Sequence, residues 1–170
     1  MTAEDSTTYE VRVVRELDAP PEVAWRAWSD PALVRQWWGP TGFTCPRADV
    51  DFRVGGTTLV TMQAPAEYGG FSMHNRWTYT EIAEPSRIEF VSTFTDGEGH
   101  QIDPAAVGIP PGVPAEVPHV VTFEPLPGGR TRITVAESGY TSDEARAQSE
   151  QGQEQVMDKI QALYAGTPRA

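Results

Sequence analysis

The segment Asp18-Ala19-Pro20-Pro21-Glu22-Val23-Ala24-Trp25-Arg26-Ala27-Trp28-Ser29-Asp30-Pro31-Ala32-Leu33-Val34-Arg35-Gln36-Trp37-Trp38-Gly39-Pro40 holds four of the five tryptophans of the chain. It predicts two short helices. Each opens on a prolyl start, Ala19-Pro20-Pro21 and then Asp30-Pro31, where proline's fixed φ and missing N–H suit a first helical turn, and Gly39-Pro40 ends the pair. Val23, Ala27 and Trp28 share one face of the first, while Leu33, Val34, Trp37 and Trp38 crowd one side of the second. Helices this short do not persist alone in water, so both must lie on an apolar surface.

The flanking sequence supplies that surface as strands. Upstream, residues 8–17 alternate loosely, with Tyr9, Val11 and Val13 on one face. Downstream, Ala48, Val50, Phe52 and Val54 form an alternating set stopped by Gly55-Gly56, and Thr58, Val60 and Met62 return. Residues 71–82 and 87–96 predict a further hairpin around Glu84-Pro85-Ser86, with Ile88, Phe90, Ser92 and Phe94 on one face. Residues 97–116, broken by Gly108-Ile109-Pro110-Pro111-Gly112-Val113-Pro114, follow neither period and read as a long surface loop of the kind that closes over cavities. Val117, His119, Val121 and Phe123 then face one way, residues 125–129 turn, and Thr131, Ile133, Val135 and Glu137 face one way on the return. From Ser142, a plausible N-cap, the period is helical, with an apolar stripe of Val156, Ile160, Leu163 and Tyr164. Gly166-Thr167-Pro168-Arg169-Ala170 reads as a stop signal with fraying residues.

The order is thus strand, two short helices, six strands as three hairpins, and one long helix. It predicts an α+β fold of helix-grip type: a curved antiparallel sheet of about six to seven strands wrapped on the C-terminal helix, as one domain over residues 1–170. A twisted sheet curls, and a single helix need not fill its concave side, so a cavity between the two is expected.

Composition narrows the function classes. Thirteen Lys and Arg against 24 Asp and Glu give a net charge of −11, which repels phosphate backbones and anionic lipid surfaces, so nucleic acid is not an expected partner. No apolar run is long enough to span a bilayer, so no integral membrane contact is expected. The acidic start, Met1-Thr2-Ala3-Glu4-Asp5, lacks the basic head and apolar core of a secretory signal, and a cytoplasmic location is the default expectation. The single cysteine, Cys45, reads as a small core residue. No metal-ligand spacing, phosphate-cradling loop or nucleophile motif occurs, so neither metal nor cofactor is expected.

His119 and Glu137 are the candidate catalytic residues. If the turn pairs Phe123 with Thr131, then Val121 faces Ile133 and His119 faces Val135, placing Glu137 diagonally from His119 on the helix-facing side. A buried Glu beside a His could orient an imidazole as general base, and the same pair could equally do no more than satisfy itself. On the fourth strand Asn75 shares a face with Phe71, Met73, Trp77 and Tyr79, and it is expected inward, either as a ligand contact or as a satisfied core amide. The aromatic and methionine set, including Trp28, Trp37, Trp38, Met62, Met73, Trp77, Tyr79, Phe90, Phe94, Phe123 and Met157, is core or pocket wall. Trp37, Trp77, Phe94 and Met157 are favoured for the wall. With Met62, Met73, Asn75, Tyr79, Phe90, His119, Val121, Glu137, Val156 and Ile160, these four make the expected ligand-binding set. His100 belongs to the long loop and is expected exposed.

Taken in order, Ala19-Pro20-Pro21-Glu22-Val23, Trp37-Trp38-Gly39-Pro40, Asp51-Phe52-Arg53-Val54-Gly55-Gly56, Tyr79-Thr80-Glu81-Ile82 with Pro85 and Arg87-Ile88, and Val121-Thr122-Phe123-Glu124 resemble the START-like, or SRPBCC, superfamily. Within it the chain is similar to the family named after the activator of Hsp90 ATPase, over Tyr9 to Ala165. The resemblance implies the helix-grip fold and its cavity. The superfamily includes lipid and hormone carriers, aromatic polyketide cyclases and co-chaperone domains, and fold alone does not choose among them. The family's last helix often carries Gly-Trp where this chain has Gly152-Gln153, which removes a bulky aromatic from the cavity's end. The preferred expectation is a non-enzymatic protein, monomer or homodimer, that binds a hydrophobic small molecule such as a lipid, acyl chain or polyketide-like aromatic. The alternatives are a cyclase or dehydratase acting on such a ligand and, least favoured, an Hsp90-type co-chaperone.

Overall fold

The computed structural model describes residues 7–165; the acidic start at residues 1–5 and the tail from Gly166 to Ala170 lie outside the described residues. Seven strands form one antiparallel sheet in the order β1-β7-β6-β5-β4-β3-β2. These are β1 (Tyr9–Leu17), β2 (Thr44–Val50), β3 (Thr57–Gln63), β4 (Ser72–Ala83), β5 (Arg87–Thr95), β6 (Glu116–Leu126) and β7 (Arg130–Tyr140). Strands β2 to β7 run as one continuous meander rather than as separate hairpins, and β1 pairs with β7 at the far edge.

Between β1 and β2 lie three helical turns, not two: α1 (Pro21–Ala24), α2 (Arg26–Ser29) and α3 (Pro31–Trp37). Trp25 separates the first two, and its burial with Ala24 turns the segment inward while Val23 is left half-buried. Asp30 caps α3 by accepting from the Ala32 N–H at 2.9 Å. Trp28 and Trp37 meet at 4.5 Å, and the Trp37 indole N–H donates to the Ala27 carbonyl at 2.6 Å. This satisfies a buried donor that would otherwise cost about 1–3 kcal/mol.

Strand β2 starts earlier and ends earlier than its apolar alternation suggests. Phe52 and Val54 lie in the turn beyond it; Phe52 packs edge-on against Trp25 and Tyr79, and Val54 is exposed. The long helix α4 (Asp143–Tyr164) begins at the Ser142 cap, whose hydroxyl accepts from the Ala145 N–H at 3.0 Å. It crosses the sheet at the β1 edge. Arg15, on the inner face of β1, pairs there with Glu154 and with Asp158, the latter at 3.2 Å. At the far end the Tyr164 hydroxyl donates to the Val23 carbonyl at 3.1 Å, closing α4 onto α1.

The β6–β7 register differs from the expected one by two residues: Phe123 pairs with Ile133, Val121 with Val135, and His119 with Glu137. The strands continue to Leu126 and Arg130, and the reversal is confined to Pro127-Gly128-Gly129. Gly128 and Gly129 have φ of +84° and +71°, a backbone region that glycine enters without cost.

Candidate functional site: a cavity under the C-terminal helix

A cavity of about 280 Å³ lies between the sheet, the N-terminal half of α4 and the β5–β6 loop. Strands β3 to β7 present alternate residues to it. Met62, Met73, Asn75 and Phe94 form one side, and His119 and Glu137 the other. From α4, Gly152, Gln153 and Val156 face them. Ile109, Pro110 and Val113 of the loop wall both this cavity and a second hollow of about 650 Å³ bounded by residues 101–115. The loop is not unstructured: it carries a 3-10 turn at Pro104–Val107 and is held to the segment just before α4 through Gly112, whose carbonyl accepts from the Thr141 N–H at 2.9 Å.

Seven of the expected ligand contacts therefore come together at the wall: Met62, Met73, Asn75, Phe94, His119, Glu137 and Val156. The other seven do not line it. Trp37, Trp77, Tyr79 and Phe90 are buried in the aromatic core between the sheet and the short helices, nearer the closed end of the grip. Val121, Met157 and Ile160 are fully buried in the same hydrophobic core. The physical reason is the uneven gap: the same strand face is core at one end and cavity wall at the other. His100 is exposed on the Asp96–His100 turn, its ring 3.2 Å from Asp96.

The polar side of the cavity is a hydrogen-bonded chain. The His119 ring stacks on Phe90 at 4.6 Å with 15° between planes, extending the Trp77–Phe90 stack. Its Nδ1 donates to the Val117 carbonyl at 2.9 Å, and its Nε2 is 2.8 Å from Glu137 Oε1. A carbonyl oxygen only accepts, so Nδ1 carries a hydrogen; a second proton must then lie between Nε2 and Oε1, because two lone pairs do not face each other at that distance. The pair is net neutral, either as imidazolium with carboxylate or as imidazole with carboxylic acid. Tyr140 donates to the same Oε1 at 3.2 Å. Burial, and next the Glu137 charge, push the Tyr140 phenol well above its ordinary range, against an opposing bond from Ser149.

Polar groups at the wall are left over. Among the described residues, the buried side-chain polar atoms without a hydrogen-bond partner are Trp28 Nε1, Trp38 Nε1, Glu137 Oε2 and Gln153 Oε1. All but Trp28 belong to cavity-lining residues. Asn75, also at the wall, donates from its amide nitrogen to the Thr93 carbonyl at 3.5 Å. Among the described residues, no lysine or arginine lines the cavity. Lys159 lies just outside, donating to the carbonyls of Gly39, Pro40 and Phe43 at 2.8, 3.0 and 3.1 Å and so tying the turn after Trp38 to α4; burial pushes its ammonium pKa down.

Tyr140 and Gln153 were not among the expected contacts. Strict alternation along β7 turns Tyr140 outward, but the β1–β7 register slips between Tyr9 and Val11, and Gly139 at φ +95° brings Tyr140 back inside. Gln153 was detectable as a polar residue in step with the Val156 and Ile160 stripe of α4.

A curved antiparallel sheet gripping one long helix defines the helix-grip fold, a fold of the ligand-binding type. The chain belongs to the family described as activator of Hsp90 ATPase homolog 1-like protein, whose model matches residues 18–165. Its fold is similar to solved structures of protein CV1439 from Chromobacterium violaceum, at 26% identity and TM-score 0.74 over 91% of this chain and 96% of that one. A protein from Arthrobacter aurescens is similar at 28% identity and TM-score 0.74, over 96% of this chain and 90% of the other. The AHSA1 protein from Silicibacter pomeroyi shares the fold at 24% identity and TM-score 0.73, covering 92% and 98%. No curated protein matches the chain.

Proposed function

We propose that the protein binds a small, largely apolar molecule in the cavity under α4 and is a binding protein rather than an enzyme. The observation that carries this reading is the concentration of unpartnered buried polar atoms at the wall of a partly polar cavity. Such atoms are rare in folded proteins, and a bound molecule with matching groups accounts for them. At about 280 Å³ the cavity is at or below the roughly 300–1,000 Å³ range of small-molecule sites, so it suits a single ring or short acyl chain better than a two-chain lipid.

A cyclase or dehydratase is the second reading, favoured by the 2.8 Å approach of His119 to Glu137. Against His119 as its base, both imidazole nitrogens are already engaged, and a general base needs a free lone pair within reach of its substrate. An Hsp90-directed role rests on the family's name and on no feature of the cavity.

Titration calorimetry with 4-butylphenol tests the binding reading. Saturable one-to-one binding that shifts the Trp38 indole N–H resonance is expected. Absence of both heat and shift contradicts it.

A further inference from the structure

We infer that the ligand is a neutral molecule that donates a hydrogen bond through a hydroxyl, seated against Glu137 and Gln153, and is not a carboxylate. This rests on the cavity being a ligand site and adds what the site selects. The leftover buried valences at its polar end are mostly acceptors: Glu137 Oε2 and Gln153 Oε1, against the single donor of Trp38 Nε1. Acceptors call for a donor on the ligand.

The charge inventory fixes the ligand's charge. The titratable residues at the wall are His119, Glu137 and Tyr140; among the described residues no lysine or arginine lines it to pair with a buried anion, and Lys159, just outside, spends its N–H groups on the carbonyls of Gly39, Pro40 and Phe43. The geometry of His119 already requires a proton between its Nε2 and Glu137, so the pair is neutral as built. A fatty-acid carboxylate would enter as an uncompensated buried charge beside a carboxyl group, and desolvation opposes that strongly. An amine entering as a cation would add the opposite uncompensated charge to the same neutral pair. An alcohol or phenol adds none, and its single O–H reaches an acceptor that is otherwise unpaired.

The test uses three matched probes on the unmodified protein, each titrated calorimetrically: 4-butylphenol, its methyl ether 4-butylanisole, and 4-butylbenzoate. The phenol is expected to bind about tenfold or more tightly than either of the others, because only it satisfies the buried acceptors. Ether binding as tight as phenol binding, or tighter binding of the benzoate, overturns this inference while leaving the cavity a binding site. Failure of all three to bind overturns both this inference and the reading beneath it. In Gln153→Leu the phenol-to-ether ratio is expected to fall several-fold; an unchanged ratio would place the hydroxyl away from α4 and overturn the assignment.

Discussion

His119 Nε2 lies 2.8 Å from Glu137 Oε1, and the two residues are direct partners across the β6–β7 ladder, each about 7% exposed. Two potentially charged groups sit where water scarcely reaches, and each meets part of the other's hydrogen-bonding need. Removing one leaves the other uncompensated. His119→Phe is therefore expected to destabilise the fold by about 3 kcal/mol, the scale seen when one partner of a buried pair is deleted. Urea denaturation measures it, and a loss below about 0.5 kcal/mol, the scale of an inert surface change, is the contrary result.

Tyr79 gives a pH dependence with a defined sign. Burial pushes its phenol from 10.0 to about 12, against a 2.6 Å bond to Thr58. An acid whose folded pKa is raised stabilises the fold below its unfolded pKa and loses that contribution as pH climbs to the folded value. The wild type is thus expected to lose stability between about pH 10 and about pH 12. Tyr79→Phe should lose less over that window; denaturation curves at both ends decide, and equal losses contradict the assignment.

Gly112 fixes the β5–β6 loop to the start of α4. Its φ is +103°, and an added Cβ would lie 2.4 Å from Ser142 Oγ and 3.0 Å from Ala145 Cβ. Gly112→Ala is expected to cost about 2 kcal/mol through strained backbone and lost contact. Amide exchange at Thr141 should accelerate as the loop lifts from the cavity. Unchanged exchange would show that the loop is held by its other contacts.

Much of this architecture was legible in the sequence because it depends on period. Alternation placed His119, Glu137 and Asn75 on the inner face even though the β6–β7 pairing differs by two residues, since a slip of two preserves faces and only a slip of one exchanges them. Position along a strand was not legible. Trp77 and Asn75 share a face, yet one is core and the other cavity wall, and what separates them is how closely α4 and the short helices approach. Tyr140 was hidden because one bulge reverses the alternation that predicted it outward.

The most direct test of the cavity as a binding site is Gly152. It lines the cavity from α4, and an added Cβ would meet nothing within 4 Å, so a larger side chain can begin there without a clash at its first atom. Replacing a helical glycine also removes an entropic penalty of about 0.5–1 kcal/mol. Calorimetric titration of Gly152→Phe with 4-butylphenol, beside the wild type, is the measurement. A variant that melts no lower than wild type but binds at least about tenfold more weakly, about 1.4 kcal/mol, is the expected result. Undiminished binding by the folded variant would show that the ligand sits elsewhere and would contradict the account.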